Sequence, residues 1–349
     1  MKLMVIDGNS IVNRAYYGIR PLTTRDGLYT HAVFGFLTTL LRLKSEEEPD
    51  ALCVTFDVHA PTFRHEASEA YKATRKGMPE ELRMQMPVLK EVLDSLNIPR
   101  YELAGWEADD LIGTISRKCE AAGWECVVVT GDKDSLQLIT DHTKVKLVST
   151  RMGQTTTKDM DEAAFREQYG FAPIHMIDLK ALMGDTSDNI PGIPGIGEKT
   201  AMALVQKYGS IDSLYDKMPD VEAKPAALRK LQEGEASARQ SYWLATIVTD
   251  APLDFRPEDN LVRAPGPEAY GVCLKLEFTK LIDKFGLTPG EAPAAAAPEE
   301  TNVTVEQVTD PARGAELLEL WRKADHVSVL ALPDLTGVVA VCDSEGGTL

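Results

Sequence analysis

The sequence GWEADDLIG at residues 105–113, followed by VVVTGDKD at residues 127–134, decides how this chain folds. Glu107 and Asp110 are three residues apart, so they share one face of the helix that begins there, with Asp109 beside them. The β-branched run of the second segment predicts a buried strand, and Asp132 and Asp134 follow its carboxyl end directly. Ligands of open α/β sheets collect at that edge, which makes it the candidate functional site.

Two more predicted strands bring acids to the same edge. Leu3–Ile6 is apolar and leads to Asp7, and Ala51–Phe56 leads to Asp57. Crowded carboxylates repel one another unless cations hold them. Hard oxygen ligands without nearby His or Cys favour Mg²⁺ or Mn²⁺ over zinc. We therefore expect a metal site at this edge.

A structural alternative stays open for some of these acids. Acids stabilise helix N-termini in general, so the group at residues 107–110 taken alone also fits a solvated helix start.

A further pair, Asp185 and Asp188, is again three residues apart and precedes the glycine-rich segment IPGIPGIGEKTA at residues 190–201. A glycine-rich turn alone is weak evidence for a phosphate site. Here its bare amides and the N-terminus of a helix predicted at Glu198–Lys207 both favour an anion.

Length and composition bound the protein class. The 349 residues allow two domains and part of a third. No apolar run approaches the ~18 residues of a membrane span, and no signal-peptide core follows Met1. The five cysteines contain no C-x-x-C pair, which indicates reduced thiols in the cytoplasm. Motifs for acyl transfer and for P-loop nucleotide hydrolysis are missing from the sequence.

The net charge of −17 is unexpected for a protein that binds nucleic acid. From Glu291 onward there are 11 acidic and 3 basic residues, a net charge of −8, so nearly half of the excess lies in that segment. Metals would neutralise further acids. Local basic patches, not the global field, would then contact DNA.

Local patterns predict several further elements. Alternating strands and helices up to about residue 170 indicate a mostly parallel sheet covered on both faces. His31–Lys44 has helical spacing after Thr30 as an N-cap. Lys144–Thr157 predicts a hairpin around Gly153, with Thr157 capping the next helix.

A basic stretch lies between Phe63 and Lys90. Lys72, Arg75 and Lys76 would share a helix face, with Arg64 two turns earlier. Taken alone, such a face is more often a solvated charged helix than a binding site.

In this order and combination, the motifs resemble the 5′ nuclease domain of the bacterial DNA polymerase I family, a branch of the flap endonuclease superfamily. The resemblance covers Met1 to about Leu287. It implies an α/β fold with a mostly parallel central sheet flanked by helices (PIN-like), a helical arch and an all-helical helix-hairpin-helix domain. The domains would be residues 1–170 with the arch at about 63–90, residues 171–288 with the hairpin, an Ala/Pro linker at 289–301, and residues 302–349.

The resemblance also implies roles for individual residues. The metal ligands for two or more Mg²⁺ or Mn²⁺ ions would be Asp7, Asp57, Glu107, Asp109, Asp110, Asp132, Asp134, Asp185 and Asp188. The catalytic residues would be Lys72, Arg75 and Asp110. The DNA-binding residues would be Arg64, Lys72, Arg75, Lys76, Gly192, Gly195, Gly197 and Lys199. The hairpin carbonyls would hold K⁺.

The implied function is structure-selective, sequence-independent cleavage of DNA at 5′ flaps, nicks and RNA primers, in replication and repair. The protein would be a monomer of the bacterial cytoplasm, associated with the nucleoid, with a polymerase domain in the same chain. Three alternatives remain: a free-standing flap endonuclease, a PIN-like ribonuclease, and a catalytically silent DNA-binding scaffold. The hairpin and arch argue against the ribonuclease, and the complete set of nine acids argues against the scaffold.

The C-terminal segment supports a place at the front of a polymerase. The sequence LEFTKL at residues 276–281 resembles the segment that closes this domain in the family. Beyond the linker, a strand, a helix around Leu317–Trp321 and two strands are predicted, too few for a whole domain, so we expect a truncated chain. Val303–Ala340 resembles the opening of a 3′–5′ exonuclease-like domain. There Leu330 and Leu332 stand where two metal-binding acids are expected and Asp334 is misplaced, so the resemblance predicts loss of proofreading.

Overall fold

The computed structural model describes residues 1–75, 77–151, 154–289, 308, 310–322, 326–331, 338–344 and 347–348. The chain separates into two compact units, Met1–Pro289 and Gly290–Leu349, which are described in turn. No helix within these residues is both long enough and apolar enough to cross a membrane.

The first unit is organised around a six-stranded sheet. Its strands are β1 (Lys2–Asp7), β2 (Ala51–Thr55), β3 (Arg100–Tyr101), β4 (Glu125–Thr130), β5 (Thr143–Arg151) and β6 (Gln154–Met160). Their order is β3-β2-β1-β4-β5-β6, and every pairing is parallel except that of β5 with β6. The predicted mostly parallel α/β sheet is therefore confirmed, as is the hairpin at its edge, whose Gly153 lies outside the described residues.

Helices surround this sheet. In the described part of the first unit they are α1 (Gly8–Gly18), α2 (His31–Glu47), α3 (Phe63–Ala67), α4 (Glu80–Ser95), α5 (Ala108–Ala121), α6 (Glu162–Tyr169), α7 (Met176–Met183), α8 (Glu198–Tyr208), α9 (Ile211–Asp216), α10 (Pro225–Glu233), α11 (Glu235–Ala245), α12 (Ala269–Lys275) and α13 (Thr279–Phe285). Short 3-10 helices span Asp134–Leu138, Pro173–His175 and Pro257–Asn260.

Alternation along β1 divides the core into two clusters. Leu3 and Val5 pack on one face of the sheet with residues of α5 and α7–α11. Met4 and Ile6 pack on the other face with residues of α1, α2, α4, α12 and α13. Successive strand residues point to opposite faces, so a strand that is apolar throughout is covered on both sides.

The chain returns to the sheet after the helical region. Leu276 and Phe278, from the LEFTKL segment, are buried in the cluster that α2 and α4 also form. An isolated bridge joins Leu261 to Ala51 of β2. Residues 261–287 therefore pack with the sheet, although they come after the predicted domain boundary at residue 171.

Of two predictions about helix caps, one holds only in position and the other is wrong. Thr30 does precede α2, but its hydroxyl donates to the Leu22 carbonyl instead of capping a helix amide. Thr157 lies within β6, and the cap of α6 is Asp161, whose Oδ1 accepts from the Ala164 amide at 2.8 Å. Asp161 directly precedes the helix, which is the position where a short side-chain acceptor reaches a free amide.

The second unit contains α14 (Pro311–Trp321), β7 (His326–Ala331), β8 (Val338–Ser344) and β9 (Gly347–Thr348). The three strands form an antiparallel sheet in the order β7-β8-β9. The helix predicted around Leu317–Trp321 is confirmed, and three strands follow it where two were predicted. The strand predicted before this helix lies outside the described residues. Leu330 lies in β7, while Leu332 and Asp334 lie outside the described residues, so loss of proofreading stays a prediction.

Candidate active site

Asp7 ends the central strand and lies at the carboxyl edge of the sheet. Its Oδ1 accepts from the Ser10 amide at 2.9 Å, which caps α1, and its Oδ2 accepts from the Thr130 hydroxyl at 2.7 Å. Thr130 is the last residue of β4, so this bond ties the ends of two neighbouring parallel strands together. The carboxyl group is buried. Burial, with Asp57 and Asp132 close by, raises the pKa of Asp7 to about 7, against the two hydrogen bonds.

Three other acids lie around Asp7. Asp57 follows β2, and its Oδ1 accepts from the Ala108 amide at 2.7 Å, in the first turn of α5. Asp132 follows β4, and its Oδ1 accepts from the Asp134 amide at 3.0 Å. Within the described residues, no Lys or Arg forms an ion pair with Asp7, Asp57, Asp109 or Asp132.

Asp109 has an oxygen with no partner. Its Oδ1 is buried and makes no hydrogen bond to any described residue. Burial and the negative charges of Asp7 and Asp132 raise the pKa of Asp109 well above its usual range, while Lys72 opposes the rise. A buried carboxylate oxygen without a donor costs free energy, which a bound cation would relieve.

Asp110, next in sequence, is in the opposite situation. It is 0% exposed, and Arg64 binds both of its oxygens at 2.8 Å in a bidentate pair. The amides of Glu107 and Val248 donate to the same two oxygens at 3.2 and 2.9 Å. Asp110 and Glu107 form a capping box at the start of α5. In this structure the Asp110 carboxylate anchors α5, and its expected role as a metal ligand stays a prediction.

Arg64 also departs from its expected role. Its side chain is buried, and besides Asp110 it contacts Glu107 at 3.3 Å and donates to the carbonyls of Leu244 and Thr246. A guanidinium enclosed in this way does not reach DNA. It joins α3, the start of α5 and the end of α11.

Lys72 and Arg75 point into the acidic site, but no helix arranges them. Residues 68–75 form turns, and Lys72 has a left-handed backbone with φ of 55°, so the predicted shared helix face is wrong. The Lys72 ammonium donates to Glu107 at 2.8 Å and lies 3.8 Å from Asp188. Arg75 also pairs with Asp188. Lys76 lies outside the described residues.

Lys180 is a residue that sequence reasoning missed. It is buried on α7, and its ammonium donates to Asp134 and, at 2.5 Å, to Asp185. Burial raises the pKa of Asp134 to about 8 against the effect of Lys180. The pKa of Asp185 is about 2, because the Lys180 bond outweighs burial. The sequence offered one clue: Lys180 precedes Asp185 by five residues and lies in a helix whose other residues, apart from Asp178, are apolar.

The nine acids thus fall into groups with different partners. Glu107, Asp110, Asp134, Asp185 and Asp188 are held by lysine and arginine side chains. As the side chains stand, no three Asp, Glu, His or Cys residues in the described part of the chain are arranged to hold a metal ion. A cation would have to draw the unpaired acids together.

The glycine-rich segment forms a tight hairpin before α8. Gly192 is buried with φ of +59°, its amide donates to the Ser241 hydroxyl at 2.9 Å, and a Cβ there would lie 2.2 Å from the Gly184 amide nitrogen. The amide is thus engaged within the protein, which corrects the expectation that Gly192 contacts DNA.

The outer part of the hairpin fits that expectation better. Gly195, Gly197 and Lys199 are exposed. Within the described residues the amides of Gly195 and Gly197 donate to no protein acceptor. The Gly195 carbonyl accepts from Lys230 at 3.2 Å, so an ammonium group lies where K⁺ was expected.

Comparison with known proteins agrees with this architecture. Residues 2–170 match the family described as 5′-3′ exonuclease, N-terminal resolvase-like domain, and residues 171–268 match 5′-3′ exonuclease, C-terminal SAM fold. DNA polymerase I of Bacillus subtilis is 40% identical over 310 residues, which cover 88% of this chain and 35% of that protein. The thermostable DNA polymerase I of Thermus thermophilus is 37% identical over 298 residues, 85% of this chain and 34% of that protein. The chain thus spans about a third of the length of these relatives.

Solved structures share the fold at low identity. T5 5′-exonuclease with bound divalent metal ions (zinc) has a TM-score of 0.58 at 20% identity, covering 82% of this chain and 97% of that one. The catalytic core of Rad2 in complex with DNA substrate has a TM-score of 0.55 at 16% identity, covering 82% and 91%. With both family matches in sequence order on one continuous α/β and helical unit, the chain belongs to the 5′-3′ exonuclease family and is a nuclease.

Proposed function

We propose that this nuclease cleaves phosphodiester bonds of DNA at 5′ ends, nicks and the junctions of 5′ single-stranded flaps, without sequence preference and with divalent metal ions. The observation that carries the proposal is a group of four acids at the carboxyl edge of the sheet that form no ion pair with any described residue, beside Lys72 and Arg75. These acids are Asp7, Asp57, Asp109 and Asp132. Two solved structures with the same fold support the proposal: T5 5′-exonuclease has bound divalent metal ions, and the Rad2 catalytic core is in complex with DNA.

The donor set fits a divalent metal. The unpartnered buried oxygen of Asp109 and the raised pKa of both Asp7 and Asp109 mark a place that lacks positive charge. The donors are oxygens without a histidine or a thiolate, which favours Mg²⁺ or Mn²⁺ over zinc. The residues that would hold two or more ions are Asp7, Asp57, Glu107, Asp109, Asp132, Asp134, Asp185 and Asp188. Ions bound there supply Lewis-acid activation and charge stabilisation for phosphodiester hydrolysis.

The basic side chains would act on the scissile phosphate. Lys72 and Arg75 neutralise Glu107 and Asp188 in this structure, so they occupy positions that metal ions would compete for. Once the acids are neutralised otherwise, both cations are free to contact phosphate oxygens and to stabilise charge that develops there. The ammonium of Lys180 would be displaced from Asp134 and Asp185 in the same way.

The hairpin would hold the duplex. Amides of Gly195 and Gly197, the N-terminus of α8 and the exposed Lys199 together make an anion site that contacts the phosphate backbone and not the bases. K⁺ at the hairpin carbonyls would require Lys230 to leave the Gly195 carbonyl.

The wider setting rests on the polymerase relatives. We propose that the chain is the 5′ nuclease part of a DNA polymerase I that removes primers and displaced strands, with residues 1–170 as catalytic domain, 171–288 carrying the hairpin, 289–301 as linker and 302–349 as the start of an inactive exonuclease-like domain.

A flap substrate labelled at its 5′ end tests the function. The purified chain should release a short labelled product in Mg²⁺ or Mn²⁺, none in EDTA, and the product should be independent of the base sequence at the junction. A duplex without ends or flaps is the control and should stay intact. Failure to cleave any 5′ end or flap in either metal would contradict the proposal.

A further inference from the structure

An exposed tryptophan lies beside the acidic site in a pocket that the proposed mechanism does not use. Trp243 of α11 is 45% exposed, the only tryptophan among the exposed large apolar residues of the described chain. It lines a pocket of about 200 Å³ together with Ala67, Ser68, Gln240 and Leu244. The pocket thus lies between α11 and the chain that leads from α3 to Lys72.

Three aromatic rings connect this pocket to the start of α5. The ring of Trp243 meets that of Phe63 edge-on at 5.7 Å, and Phe63 lies 5.2 Å from the ring of Trp106. Trp106 directly precedes Glu107. Phe63 packs against the Trp243 ring and is itself backed by Trp106, while nearly half of the Trp243 surface is exposed.

Arg64 places the pocket close to the acids. It donates through Nε to the carbonyl of Leu244, a pocket residue, at 3.1 Å, and through both terminal nitrogens to Asp110 at 2.8 Å. One guanidinium group therefore contacts both the pocket wall and the anchor of α5. The same guanidinium lies 3.3 Å from Glu107, so the side chain of Arg64 links the pocket wall to an acid that also pairs with Lys72.

We propose that this pocket receives one unpaired nucleobase of the substrate strand, stacked on Trp243, and that it thereby selects DNA whose end is unpaired. The inference rests on the proposed cleavage of flap DNA. A cavity of about 150 Å³ is enough to take up benzene, so about 200 Å³ accommodates the ring of a base. Stacking needs only an aromatic face, which every base has, so the site is compatible with cleavage that ignores sequence.

The pocket chemistry suits a base and not a phosphate. Among the described residues, its lining contains two polar side chains, Ser68 and Gln240, and no charged group. The cations that would contact the backbone, Lys72 and Arg75, come four and seven residues after Ser68. Residues 67–75 would therefore contact both parts of one DNA strand: the pocket residues would contact the base, and Lys72 and Arg75 would contact the phosphate.

Flap substrates with a single abasic residue test the proposal. Each substrate lacks one base near the junction of the cleaved strand, and affinity is measured by fluorescence anisotropy in EDTA, where cleavage does not interfere. One position should matter: removing that base should weaken binding to the wild-type chain about tenfold, the range of a single base-aromatic stack. Trp243→Ala should lose about the same factor on intact DNA and nothing further on the DNA that is abasic at that position.

Matched variants separate stacking from folding. Trp243→Phe keeps an aromatic face and should retain most of the affinity, while Leu274→Ala, at an exposed apolar residue of α12, should behave as wild type. If Trp243→Ala weakens binding equally on every substrate, so that the losses simply add, the pocket does not hold a base and the proposal is wrong. Cleavage by the wild-type chain in Mg²⁺ is measured in parallel, so failure of the nuclease proposal itself would be seen separately.

Discussion

Two adjacent aspartates in α5 have opposite surroundings. Among the described residues, one buried oxygen of Asp109 has no partner, whereas both oxygens of Asp110 are bound by Arg64 and by two backbone amides. The Asp109 carboxylate is therefore available to bind a cation, whereas the Asp110 carboxylate is already paired with the guanidinium of Arg64. Their roles therefore differ although their side chains are identical.

Replacing each by asparagine separates these roles. Asp109→Asn should reduce single-turnover cleavage at least about 100-fold, because a ligand worth several kcal/mol is lost. Its stability should be unchanged or higher, since a repelled charge is removed. Asp110→Asn should lower the free energy of unfolding by about 3–5 kcal/mol, the usual result when one partner of a buried ion pair is removed.

Urea unfolding followed by circular dichroism measures the second effect, and flap cleavage measures the first. The two variants differ by one position and have the same chemistry, so each is the control of the other. If Asp110→Asn were as stable as wild type and merely inactive, its role would be that of a ligand, and the anchoring role would be wrong.

The sequence predicts where the acids lie but not which lysine and arginine side chains form ion pairs with them. Strand ends are visible in the sequence, so Asp7, Asp57, Asp132 and Asp134 could be assigned to one edge of the sheet before the structure was known. Arg64 pairs with Asp110 across 46 residues, and Lys180 pairs with Asp134 across 46 as well. No local pattern encodes such pairings, since they depend on how separate elements pack.

At the scale of elements, the hairpin before α8 shows two different uses of glycine. Gly192 is required by space and by its left-handed backbone, because a Cβ would meet the backbone of Met183 and Gly184. Gly197, the residue before α8, has φ of −91° and nothing within 4 Å of a Cβ. The sequence pattern alone assigned both the same role.

Alanine at each of these two positions tests the difference. Gly192→Ala should lower the free energy of unfolding by several kcal/mol, because the hairpin cannot close around a methyl group without moving backbone. Gly197→Ala should change the free energy of unfolding by less than about 1 kcal/mol. Thermal unfolding of both variants measures this. Equal stability of the two variants would contradict the packing described for Gly192.

At the scale of the whole molecule, buried carboxylates form ion pairs with lysine side chains in more than one place. Away from the acidic site, Glu47 at the end of α2 meets the strand residues Lys144 and Lys146, each at 2.8 Å, and Lys2 at 3.7 Å. Both Glu47 and Lys146 are buried. This group joins α2 to two strands of the sheet and has no part in the proposed chemistry. Substitutions in it therefore measure how much an ion pair contributes to the free energy of unfolding, without affecting the acidic site.

Glu47 should make the stability of the chain depend on acid. Its pKa is lowered from 4.5 to about 2: burial alone would raise it, but the bonds from Lys144 and Lys146 outweigh burial. A group whose folded pKa is lowered stabilises the fold above its unfolded pKa, and this stability is lost as the pH falls from about 4.5 towards 2. A pKa shift of this size corresponds to roughly 3 kcal/mol. Because Lys144 is partly exposed and solvent screens the pair, we expect about half of that.

The prediction is tested by measuring the free energy of unfolding of wild type and Glu47→Gln from pH 7 down to pH 2.5. Glu47→Gln should be less stable by about 1–2 kcal/mol at pH 7, and the difference should shrink as the pH falls below about 4.5, because the wild-type carboxylate then becomes protonated. Glu48→Gln, at the exposed neighbouring position, is the control and should follow the wild-type curve at every pH. A Glu47→Gln curve that stayed parallel to wild type through this range would show that the lost stability came from packing and not from the carboxylate charge.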